Sequence, residues 1–147
     1  MAGNGRILVV DDNTSLVRML EGVLRRQDFD VAVAYDGVEA LAQVKAQPPD
    51  LIVLDIVMPR LNGYEVCRRL HENAATASIP VILLTVKGQV DDPELDQAGL
   101  EARIAEQMTG YEVGAVDFIP KPVKAVELLE RIRGHLVLDR AAAARSG

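Results

Sequence analysis

The chain is constrained most by four apolar runs that each end at a charged or hydroxyl side chain. Arg6-Ile7-Leu8-Val9-Val10 runs into Asp11-Asp12, and Leu51-Ile52-Val53-Leu54 runs into Asp55. Val81-Ile82-Leu83-Leu84 runs into Thr85, and Ala115-Val116-Asp117-Phe118-Ile119 runs through Pro120 into Lys121-Pro122. Little polar alternation interrupts these Val/Ile/Leu runs, which marks strands covered on both faces and therefore a parallel sheet. Side by side, such strands gather three carboxylates, a hydroxyl and an ammonium on one rim, the rim where open α/β sheets bind ligands.

Val31-Ala32-Val33-Ala34 is a fifth, weaker strand candidate. Helical patterns fill the intervals. Leu16, Val17, Leu20, Val23 and Leu24 share a face, with Asn13 or Thr14 as N-cap. Val38, Leu41 and Val44 follow the Asp36-Gly37 turn, and Val66 and Leu70 follow Asn62-Gly63. Leu95, Leu100, Ile104, Met108 and Tyr111 predict a long fourth helix opened by Asp92-Pro93; Val126, Leu129, Ile132 and Leu136 predict a fifth. Strict alternation of five strands and five helices predicts a doubly wound α/β domain with right-handed crossovers.

Length and charge narrow the function classes. At 147 residues the chain has the size of one domain with a real core. A net charge of −6 disfavours a general nucleic-acid surface, which needs a basic face. The single cysteine, Cys67, cannot form an internal disulfide and fits a reducing compartment. Met1-Ala2-Gly3-Asn4-Gly5 does not resemble a signal peptide, and no apolar run approaches the ~20 residues of a membrane span. The expectation is a cytoplasmic protein that contacts neither membrane nor nucleic acid directly.

Asp11, Asp12 and Asp55 on one rim would resist ionising together unless a cation compensates them. A hard divalent ion bound by oxygens is the natural partner, and Mg²⁺ is favoured because it is content with one or two carboxylates, waters and a phosphate. Lys121 adds a fixed positive charge and Thr85 a hydroxyl donor. Together these groups suit an acceptor site for a phosphoryl group, with one aspartate attacking. Singly, each has a plainer reading. Asp-Asp-Asn could cap a helix, Asp55 could start a turn with Pro59 and Asn62-Gly63, Thr85 could be a cap, and Lys121-Pro122 a turn. Their joint placement at strand ends is hard to ascribe to chance.

These residues resemble a known family. Asp11-Asp12, Leu54-Asp55 with Met58-Pro59 and Gly63, Thr85, and Gly114-Ala115…Asp117-Phe118…Lys121-Pro122 are similar to the receiver domain of two-component response regulators, from about Arg6 to about Leu136. Apart from an extended region between the fourth strand and fourth helix, the resemblance implies a flavodoxin-like fold with strand order 2-1-3-4-5. It implies residues 1–138 as the receiver and 139–147 as a tail or the start of a linker. It implies that Asp55 takes a phosphoryl group from a sensor histidine kinase. Asp12, Asp55 and the backbone carbonyl of Val57 would ligate Mg²⁺, and Asp11 would act through a metal-bound water. Lys121 would pair with Asp55 at rest and with the phosphoryl oxygens afterwards, across a usually cis Lys121-Pro122 bond. Thr85 would bond the phosphoryl group and Phe118 turn inward behind it, reshaping the face of the fourth helix, fifth strand and fifth helix. That face would meet a downstream effector domain or target, or a second copy in a homodimer.

The chain departs from the family in places. Thr85 and Lys121 stand 36 positions apart, more than is usual. Residues 88–110 carry Asp91, Asp92, Glu94, Asp96, Glu101 and Glu106 against Arg103, a net −5. The stretch is either a solvated longer loop and helix or a device that selects a partner or fixes a dimer contact. The β-branched Val86 is expected to narrow access beside Thr85, Lys87 is cationic, and Val57 has no polar group to position an attacking water. Slow self-dephosphorylation is expected.

Cys67 reads as a packing thiol and the apolar stripe of the first helix as core. His71 and His135 read as solvated cations in late helical turns without shared ligand spacing, and Tyr64 and Tyr111 as helix-face packers. The leading expectation is a signalling switch, not a turnover enzyme. A pseudo-receiver interaction module is one alternative. A phosphatase with an aspartyl nucleophile is a weaker one, since Val57 stands where that chemistry needs a second acid.

Overall fold

A computed structural model describes residues 4–58, 61–85 and 114–146, with side chains to Val137. The expected fourth helix, residues 88–110, Val86 and Lys87 lie outside the described residues. Strands β1 (Gly5–Val10), β2 (Phe29–Ala34), β3 (Leu51–Asp55), β4 (Val81–Thr85) and β5 (Asp117–Pro120) form one parallel sheet in the order β2-β1-β3-β4-β5. Helices α1 (Thr14–Arg26), α2 (Gly37–Ala46) and α3 (Gly63–Glu72) fill three crossovers, and a C-terminal helix (Ala125–Ser146) follows β5.

The uninterrupted apolar runs have a simple cause, because both sheet faces are covered. Leu8, Val10, Ile52, Leu54, Leu83 and Phe118 point to one side, against Ala40 and Val44 of α2 and Val66, Cys67 and Leu70 of α3. Their strand neighbours Ile7, Val9, Leu51, Val53, Ile82 and Ile119 point to the other, against Val17, Leu20 and Leu24 of α1 and Leu128, Ile132 and Leu136 of the C-terminal helix. With period-two side chains sandwiched between two helical layers, no position of β3 or β4 is left for a solvated residue.

The helix starts are capped by short polar side chains. Asn13, Asp36 and Asn62 accept from Leu16, Glu39 and Glu65 backbone N–H groups at 3.1, 2.8 and 3.0 Å. Two apolar expectations fail. Val38 and Val126 are exposed, because α2 buries Gly37, Ala40 and Val44, and the C-terminal helix buries Leu128, Ile132 and Leu136. Ala40 packs in the cluster with the sheet and Gly37 lies against Leu61 and Val66, so a pattern read from large side chains alone misplaces the inner face of α2. No helix among the described residues is long and apolar enough to cross a membrane.

Candidate functional site

β1 is flanked by β2 and β3, so the strand order reverses at its two sides, and the crevice above the strand ends opens there. Asp11 and Asp12 leave β1 at this point, and Asp55 closes β3. Ligand oxygens from the three carboxylates lie within 4.8 Å of one another. Asp11 is 0% exposed and Asp55 3%, while Asp12 is open to solvent. One face of the cluster is thus dry and the other reachable.

Local structure fixes each group. Asp11 is held through its backbone N–H, which donates to Ala34 O at 3.2 Å, and through its Oδ1, which accepts from Asn13 N–H at 3.0 Å. Asn13 therefore serves both the α1 cap and the orientation of Asp11, a role not visible from its cap position alone. Asp55 is tied to β4 by the next residue, whose N–H donates to Leu84 O at 3.3 Å. Lys121 follows β5, and its N–H donates to Thr85 O at 3.0 Å, which sets the buried Thr85 and Lys121 side by side on adjacent strands. The Lys121–Pro122 bond is cis, as the resemblance implied.

The Lys121 ammonium lies 2.9 Å from Asp11 Oδ2 and 3.3 Å from Asp55 Oδ1. The sequence expectation paired it with Asp55; it bridges both and sits closer to Asp11. Asp11 Oδ2 has no well-aligned hydrogen bond, and the lysine meets its charge only as an ion pair. Burial pushes the Asp55 carboxyl up to about 6, and the neighbouring Asp11 charge adds to the rise against the opposing pull of Lys121. Burial works against the Lys121 ammonium too, yet its contacts with Asp11 and Asp55 hold it above its ordinary value. Three clustered carboxylates have one ammonium beside them, in contact with Asp11 and Asp55, and a buried carboxylate oxygen lacks an aligned donor. This donor set fits a hard divalent cation.

Phe118 is already buried in the core beneath this rim, opposite Leu83 in the β4–β5 register. Val57 is 60% exposed just beyond Asp55.

A sequence profile of the response regulator receiver domain matches residues 7–133. The chain belongs to the response regulator receiver family. The DNA-binding response regulator MtrA of Mycobacterium tuberculosis is 43% identical over 131 residues, which span 89% of this receiver and 50% of MtrA. The response regulator PleD of Caulobacter vibrioides is 40% identical over 140 residues, 92% of this receiver and 28% of PleD. The receiver thus spans about half the length of MtrA and less of PleD. Among solved structures, a response regulator of Chloroflexus aurantiacus superposes with a TM-score of 0.78 at 31% identity, covering 92% of this chain and 99% of that one. The family carries phosphorelay signalling in two-component systems, and its fold is the flavodoxin-like order expected from the sequence.

Other expectations can be placed within the receiver. Cys67 is buried, and burial pushes its thiol up to about 11, as befits a packing residue. Tyr64 packs partly buried against the core. Tyr111 lies outside the described residues. His71 is exposed in the last turn of α3, as expected. His135 differs: the C-terminal helix runs on past it, and its Nε2 lies 2.9 Å from Asp117 Oδ2. Asp117 also accepts from Arg131 at 2.6 Å and from its neighbour Phe118 N–H at 2.8 Å. This lower-rim clamp was missed by the sequence reading. Its signal was a lone carboxylate inside an apolar strand, answered by two basic residues one helical turn apart.

Proposed function

We propose that Asp55 accepts a phosphoryl group from a phosphohistidine of a sensor histidine kinase. The observation that carries this reading is a buried carboxylate at the end of β3, grouped with Asp11 and Asp12 and facing the Lys121 ammonium at 3.3 Å. An Asp55 oxygen attacks phosphorus, the P–N bond breaks, and the imidazole leaves with the electron pair. Lys121 neutralises charge on the transferred oxygens, and the Thr85 hydroxyl donates to one of them. Mg²⁺ fits the carboxylate cluster, with Asp12, Asp55 and the Val57 carbonyl as ligands and Asp11 acting through a bound water. When bound, it supplies charge neutralisation for the phosphoryl oxygens.

The new phosphoryl charge then draws Thr85 inward, with Phe118 filling the space behind it. The face of β5 and the C-terminal helix, together with the fourth helix expected from the sequence, carries the signal to an effector domain, a target or a second copy. Residues 1–138 form the switch and 139–147 a tail or the start of a linker. We place this work in the cytoplasm, with no direct contact to nucleic acid or membrane, and without substrate turnover. Phosphoryl acceptance predicts that acetyl phosphate with Mg²⁺ adds the mass of one phosphoryl group, and that Asp55→Asn abolishes the gain. No uptake by the wild type would support a pseudo-receiver, and continuous phosphate release would support a phosphatase. The apolar Val57 side chain at the mouth of the site cannot orient water, so the phosphorylated protein should lose its group slowly. A half-life of seconds for the isolated protein would count against that.

A further inference from the structure

Gly37 opens α2, remote in sequence from every rim residue, yet it touches the loop that Asp55 leads into. A Cβ at Gly37 would stand 2.6 Å from the Leu61 carbonyl oxygen, 3.0 Å from Leu61 Cβ and 2.8 Å from Val66 Cγ2. Its φ is not in the left-handed region, so contact, rather than backbone conformation, is what excludes a side chain. Leu61 leads through the Asn62 cap into Gly63, and Gly63 is crowded in turn. A Cβ there would collide with the Asp55 carbonyl oxygen and stand 2.8 Å from Ile56 Cα. Gly63 N–H donates to Ile56 O at 2.8 Å, which closes the loop on itself.

The contacts make one chain of backbone support. The α2 start presses on Leu61, the α3 start presses on Ile56 and Asp55, and the loop between carries Val57. We infer that Gly37 is a positioning residue for the Asp55 rim. It sets Leu61 and the start of α3, and through the Gly63 contacts with Asp55 and Ile56 the end of β3 and the Val57 carbonyl beyond it, without touching a reacting atom. This inference rests on the Mg²⁺ site of the function proposed above. A side chain at Gly37 meets backbone rather than the free end of a flexible group, so the loop must shift by tenths of an ångström. Small displacements of oxygen ligands matter because Mg²⁺ demands near-ideal geometry.

The test is calorimetric titration of Mg²⁺ into the full chain, with thermal melting of each protein alongside. Gly37→Ala should bind Mg²⁺ about tenfold more weakly while remaining folded at the titration temperature. Gly22→Ala in α1, where a Cβ would meet nothing nearer than Arg26 at 3.6 Å, should bind as the wild type does. If Gly37→Ala does not fold, Gly37→Ala/Val66→Ala relieves the side-chain contact and keeps the Leu61 one, and should show the same weakening. Wild-type affinity in whichever variant folds would overturn the positioning role, leaving the proposed function intact. A wild type that binds no Mg²⁺ would overturn both, and one that binds Mg²⁺ without phosphoryl uptake would sink the proposed function alone.

Discussion

The two rims of the sheet treat their carboxylates in opposite ways. On the upper rim, Asp11, Asp12 and Asp55 cluster, the Lys121 ammonium contacts Asp11 and Asp55, and Asp11 Oδ2 lacks an aligned donor. On the lower rim, the single Asp117 carboxylate holds Arg131, His135 and a backbone N–H. The consequences diverge accordingly. Burial and Asp11 push Asp55 up to about 6. Burial also works to raise Asp117, but its bonds to His135, Arg131 and Phe118 outweigh it and hold the carboxyl below its usual range. One rim stores unmet demand for positive charge, and the other fastens β5 to the C-terminal helix. The Asp55 side chain is the more deeply buried of the two, 4% exposed against 15%, and fewer donors face it; both differences push the two pKa values apart.

Breaking the lower rim should cost most. Asp117→Ala leaves Arg131 and His135 without their common acceptor, and urea unfolding should show a loss of about 2 kcal/mol. A loss no larger than that of an exposed surface substitution would remove the structural half of the contrast. Breaking the upper rim should have the opposite sign. Without divalent metal at neutral pH, Asp55→Asn relieves the repulsion from Asp11, while Asp11 still holds Lys121, and stability should rise by about 1–2 kcal/mol. Destabilisation under chelation would show that the upper rim is satisfied after all.

The smallest effect is a slope. Asp55 binds its proton more tightly folded than unfolded, so its ionisation opposes folding. Its contribution to stability should fall as pH rises from about 4 to about 6, by at most about 1.4 kcal/mol per pH unit, and Asp55→Asn should remove that fall. Asp117, held low, contributes above the ordinary carboxylate value and loses its contribution only as pH falls through its folded value, outside that window. Identical pH profiles for wild type and Asp55→Asn between pH 4 and 6 would contradict the assignment.

Much of this was legible in the sequence because strand periodicity and strand-end chemistry are local. The runs ending at Asp11, Asp55, Thr85 and Lys121 each announced a strand and the group it delivers, and the sheet has the expected order. Expectations failed where spatial neighbours decide. Val38 and Val126 are apolar at helical spacing but face solvent, and His135 serves Asp117 rather than the helix end. Nothing near Gly37 in the sequence points to Leu61.

What the sequence by itself determined is therefore the alternation of strands and helices and the identity of the groups on the upper rim. Both follow from side-chain periodicity along a strand and from which residue ends it. Only the tertiary structure decided how those groups share charge, with Lys121 nearer Asp11 than Asp55, and which contacts hold them in place. Distance and burial set electrostatics and packing, and both arise between segments that the chain brings together only when the sheet closes.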